Sequence, residues 1–71
     1  MDTETIEVQV NGALRRVPSG CSVALLLDWL ELPSERIAVE LNKSIVRKRD
    51  WAATPVESGA RVEIVEFVGG G

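Results

Sequence analysis

Ile6, Val8 and Val10 alternate with Thr5, Glu7 and Gln9, the period of a strand with one face buried. Asn11-Gly12 follows at once. Both residues tolerate positive φ, so the pair predicts a tight hairpin into a second strand over roughly Ala13 to Val17. A two-residue turn sets Arg15 on the face of Val8, where only its stem can bury, so this strand reads as a polar edge. Pro18-Ser19-Gly20 reads as a loop. Ser22 is a good helix N-cap, because its hydroxyl can accept from an orphan backbone N–H. Val23, Leu26, Leu27 and Leu30 then fall at i, i+3, i+4 and i+7, one helical stripe, which Leu25 and Trp29 are expected to widen. Pro33 ends this helix at or before Leu32.

Ile37, Val39 and Leu41 alternate with Ala38 and Glu40 and predict a third strand. Asn42-Lys43 turns the chain, and Ser44 to Val46 returns as a short strand. Arg47 to Thr54 reads as a loop with a helical turn around Asp50 to Ala53, held by Trp51. Pro55 stops any longer helix. Ser58-Gly59 turns into a last strand from Arg61 to Phe67, with Val62 and Ile64 on one face and Val65 and Phe67 mostly on the other. The order β-β-α-β-(β)-β predicts an α+β fold, a mixed four- to five-stranded sheet packed on one main helix. The first and last strands are expected to lie parallel at its centre. Residues 1–68 form the expected domain, and residues 69–71 a flexible C-terminal tail.

Composition narrows the function. The chain has 71 residues, 45% of them hydrophobic, enough for one core and against disorder. No apolar run approaches the roughly 20 residues of a membrane helix. Met1-Asp2-Thr3-Glu4 is acidic and polar, unlike a secretory signal. The chain has one cysteine, Cys21, where a secreted chain of this size usually carries several. A cytoplasmic location without membrane association is expected. A net charge of −3 argues against a nucleic-acid partner. With no histidine, His-based triads and imidazole metal sites are excluded. Catalysis by this chain alone is not expected, nor any metal site.

After Val68 there is only Gly69-Gly70-Gly71. Such an end is either a frayed terminus or a cloning remnant, or else a thread that carries a reactive carboxylate. Glycine lacks a Cβ, so the thread can pass through a channel that would exclude any side chain. The ionised carboxylate can attack the α-phosphate of ATP, and sulfur or nitrogen can then displace the adenylate. Sulfur leaves a thiocarboxylate and nitrogen an amide. The tail does not choose between them.

A set of stretches, in order, resembles the ThiS family of thiamine-biosynthesis sulfur carriers over essentially the whole chain. They are Val10-Asn11-Gly12, Ser22-Val23 to Leu26-Leu27, Ile37-Ala38-Val39-Glu40-Leu41-Asn42, Arg49-Asp50-Trp51, and Val62 through Phe67-Val68-Gly69-Gly70-Gly71. The resemblance implies a β-grasp fold similar to ubiquitin. It implies that Gly71 is adenylated by an E1-like adenylyltransferase (ThiF type) using ATP and magnesium. It further implies that sulfur arrives from a cysteine desulfurase relay, and that the thiocarboxylate serves thiazole synthase (ThiG type). Gly69 and Gly70 would thread the tail. The Ser58-Gly59-Ala60 turn departs from the family, which often has an acidic residue on each side of the glycine.

Other features carry expectations of their own. Val65, Phe67 and Val68 form a candidate docking patch leading to the tail, unless they pack under the loop around Trp51. Arg47 and Arg49, in the run Arg47-Lys48-Arg49, are candidates for charge-guided docking. Cys21 reads first as a small packed residue; a persulfide role would draw on the pKa-lowering effect of a helix N-terminus. The alternatives to a thiamine carrier are a molybdopterin-synthase carrier, a ubiquitin-like modifier, and an interaction domain with an inert tail.

Overall fold

A computed structural model describes residues 4–67. The expectations for Val68, Gly69, Gly70 and Gly71 lie outside the described residues.

β1 (Thr5–Val10) and β2 (Ala13–Pro18) form the first hairpin, with Val8 opposite Arg15 and Val10 opposite Ala13. Its turn has Asn11 at φ 51° and Gly12 at φ 84°. Two successive positive φ angles match the right-handed twist of the strands they join. β3 (Ile37–Leu41) and β4 (Ser44–Val46) repeat the device through Asn42 at φ 51° and Lys43 at φ 74°. β5 (Arg61–Glu66) lies between the hairpins, parallel to β1 and antiparallel to β3. The order across the sheet is β2-β1-β5-β3-β4. β2 and β3 therefore run parallel, and the helix between them crosses one face. This is the β-grasp arrangement, with the first and last strands parallel at its centre as expected.

α1 (Val23–Trp29) is only seven residues long, too short to persist in isolation. Ser22 caps it, its Oγ accepting from the Leu25 N–H at 3.2 Å. The other end closes earlier than Pro33 requires. Glu31 takes φ 57° and donates its N–H to the Asp28 carbonyl, while the Leu32 N–H reaches the Leu27 carbonyl. This pair of bonds satisfies the last free carbonyls in a left-handed C-cap.

Burial holds the layers together. Val23, Leu26 and Leu27 of α1 meet Val8, Val10, Val17, Ile37, Val39 and Val62 from the sheet. Burying each such side chain contributes about 1.5–3 kcal/mol. The expected stripe needs one correction: Leu25 and Trp29 do not widen it but are 57% and 56% exposed. At about 100° per residue they point roughly 150° and 110° away from the centre of the buried stripe, so a single sheet on one side cannot cover them.

Trp51 closes the open end of the core. It is buried, and its Nε1 donates to the Val46 carbonyl at 2.9 Å. The 3-10 helix around it, Lys48–Ala53, is longer than the expected turn. It packs on α1, where the Val23 N–H donates to the Thr54 carbonyl and the Val56 N–H to the Cys21 carbonyl, both at 2.9 Å.

Candidate functional site: the outer sheet face and the end of the last strand

β5 is the strand that leads to the C-terminus, and it is held from both sides. On the β3 side the ladder runs to the Ile37–Glu66 pair, and the Phe67 N–H adds a bond to the Arg36 carbonyl at 2.6 Å. On the β1 side the backbone ladder ends early, because β1 turns at Asn11. The Asn11 side chain then takes over. Its Oδ1 accepts from the Ile64 N–H at 2.7 Å, and its Nδ2 donates to the Ile64 carbonyl at 3.1 Å. Asn42, from the other turn, holds the start of the strand: its Oδ1 accepts from the Arg61 N–H at 2.9 Å. These two clamps were missed from the sequence. The signal was present, since each asparagine opens a two-residue turn, but their partners lie far along the chain.

β5 alternates, so one half of it faces away from α1. Val62 is fully buried, whereas Val65 and Phe67 are 57% and 56% exposed. The alternative that they pack under the Trp51 loop is overturned, because Trp51 seals the other layer. Ile45, opposite Glu40 on β4, is exposed on the same outer face. Ala38, Glu40, Ile45, Glu63, Val65 and Phe67 line an open groove of about 390 Å³ there. Ile45 and the two glutamates were not singled out from the sequence, although the period-two alternation places them on this face.

Arg47 and Arg49 are exposed. Arg47 comes one step after the Val39–Val46 pair, at the register of Ala38 and Val65. It thus flanks the end of the sheet where β5 finishes. Among the described residues, no group of three or more acidic or cysteine side chains could hold a metal ion, and no helix is long and apolar enough to cross a membrane.

Cys21 is buried beside α1, and burial pushes its thiol up, with a backbone hydrogen bond opposing this in part. This direction is opposite to the lowering that a persulfide role would draw on. Next to it, Pro18, Cys21, Leu25 and Trp29 border a second open groove of about 360 Å³. It lies on the layer away from the outer sheet face.

Comparison with known proteins agrees with this architecture. The ThiS family model matches residues 8–71. A crystal structure of the thiamine biosynthesis protein ThiS from Geobacter metallireducens superposes with a TM-score of 0.83 at 33% identity, covering 93% of this chain and all of that one. The uncharacterized protein ycf40 of Porphyra purpurea is 35% identical over the full length of both chains. A thiazole synthase of Paramagnetospirillum magneticum is 38% identical over 66 residues, which make up 93% of this chain but 20% of that protein. The match to the family model over nearly the whole chain, with the glycine end included, shows that this chain belongs to the ThiS family.

Proposed function

We propose that this protein is a sulfur carrier of thiamine biosynthesis whose working group is the carboxylate of Gly71. The observation that carries the reading is the family match continuing through residue 71, beyond a last strand held on both sides. In the proposed sequence an E1-like adenylyltransferase binds ATP with magnesium. A Gly71 carboxylate oxygen attacks the α-phosphorus, and pyrophosphate leaves. A persulfide sulfur supplied by a cysteine desulfurase relay then attacks the acyl carbon, and AMP leaves. A thiol cleaves the resulting acyl disulfide, becoming oxidised to a disulfide, and releases the thiocarboxylate. A thiazole synthase takes the sulfur. This chain supplies the acyl group and the docking surface, and the partners supply the catalysis.

Geometry constrains the partners. Gly71 lies four residue steps beyond Phe67, and a fully extended chain covers at most about 3.6 Å per residue. The adenylation site of the loading enzyme must then lie within roughly 14 Å of Phe67. An enzyme that reaches the carboxylate therefore has to cover the end of the sheet, where Val65, Phe67 and Arg47 are exposed. A thiazole synthase is favoured as the acceptor because stretches similar to this chain lie within proteins of that name.

Intact-mass measurement tests the reading. The chain is incubated with a thiamine-pathway adenylyltransferase, magnesium, ATP, a persulfide source and a thiol. The expected product has one oxygen replaced by sulfur, and deletion of Gly71 abolishes it without altering the melting curve. An unchanged mass, under conditions that load the Geobacter metallireducens protein, rejects the carrier reading. High-mass adducts on other proteins would favour a modifier instead.

A further inference from the structure

The outer face of β3 and β5 carries a pair of charges that folding alone does not favour. Glu40 and Glu63 are directly opposite one another in the antiparallel ladder, so both side chains leave the same face. Directly opposed residues have Cβ atoms roughly 5 Å apart, and like charges there destabilise a sheet. Arg61 is the nearest base on this face of β5, and it lies on the side away from Phe67. Toward the tail the outward positions of β3 and β5 are Ala38, Val65 and Phe67, all apolar, and exposed Arg47 flanks them beside Ala38, one step past the end of β4. Across β3 from Glu40 stands exposed Ile45. The two carboxylates thus sit within the apolar groove described above, Glu40 half-buried and Glu63 exposed.

These two properties make opposite demands on a partner. The apolar walls favour being covered. Covering them with apolar groups alone would desolvate two opposed carboxylates, with Arg47 and Arg61 outside the groove, at a high cost. A cation set among apolar side chains meets both demands. Arginine fits best, because its planar fork can bond two carboxylates and its flat face can stack on the Phe67 ring.

Resting on the carrier reading, we propose that the groove is the docking surface for the loading enzyme. That enzyme inserts an arginine, or a lysine, between Glu40 and Glu63, with apolar neighbours on Ile45, Val65 and Phe67. Repulsion held in the free protein is relieved in the complex. The contact also sets the direction of docking, since the cation engages one end of the patch and the tail leaves from the other.

The test uses the full chain and the variants Glu40→Gln, Glu63→Gln and the double variant, each of which keeps the side-chain size. Binding to a purified thiamine-pathway adenylyltransferase is measured by calorimetry without ATP at several salt concentrations. Stability is measured by urea unfolding. Each variant is expected to be as stable as the parent or more so, yet to bind at least about 10-fold more weakly, as loss of a charge-assisted hydrogen bond implies. The double variant should also lose most of the salt dependence. Equal affinity and equal salt dependence in the double variant overturn the proposal. So does a loss of stability that parallels the loss of binding, which would mark a structural role, and so does failure of the parent chain to bind. Binding without loading supports the docking surface while rejecting the carrier chemistry, so the two failures are distinguishable.

Discussion

Asn11 stands where β1 must turn and β5 must continue, and its side chain serves both needs. Its φ of 51° suits the first position of the turn, a conformation asparagine reaches more easily than most residues. Its amide then copies a peptide group and pairs both backbone atoms of Ile64. Asn11→Gly separates these roles, because glycine keeps the turn and loses the clamp. It is expected to lower stability by about 1–3 kcal/mol, read from the urea midpoint. An unchanged midpoint would mean that water replaces the amide at no cost. The turn was legible from Asn11-Gly12. The clamp was not, because its partner is 53 residues away, and nothing local marks Ile64 as needing one.

At the scale of elements, the short helix illustrates how a pattern can be read correctly and still be overextended. Val23, Leu26 and Leu27 bury as their spacing requires, and Leu30 packs at the margin of the core. Leu25 and Trp29 are apolar by composition but lie off that face, and the periodicity itself says so once angles are assigned. The chain's two tryptophans accordingly divide in role. Trp51 pins the 3-10 helix to the core and to Val46, whereas Trp29 borders a groove. Trp51→Ala is expected to cost about 3–5 kcal/mol, a large share of the stability of so small a domain. Trp29→Ala should stay within about 1 kcal/mol. Thermal or urea unfolding followed by far-UV circular dichroism checks the contrast, and equal losses would place Trp29 in the core.

At the scale of the molecule, the fold assigns the two faces of one sheet to different work. The inner face builds the core with α1, and no polar side chain is buried among the described residues. The outer face is left to solvent and carries Ile45, Val65 and Phe67 beside the route to the C-terminus. The double substitution Val65→Thr with Phe67→Gln tests this division. It should shift stability by less than about 1 kcal/mol. It should also raise the concentration of chain needed for half-maximal loading by at least tenfold in the mass assay. Loading at the parent's concentration dependence would move the docking surface elsewhere.

The sequence by itself determined the elements, their order and the alternation that splits β5 into two faces, because strand period, turn asparagines and an N-cap are local properties. It also set a limit on the side-chain chemistry, since the 71 residues include no histidine. Tertiary structure decided what depends on distant partners. Burial raised the Cys21 thiol above its ordinary range. The register of β3 on β5 set Glu40 against Glu63, an apposition that neither strand's own pattern contains. Side-chain direction repeats every two residues and can be read along one strand, but which side chains meet depends on pairing, and pairing is a property of the assembled sheet.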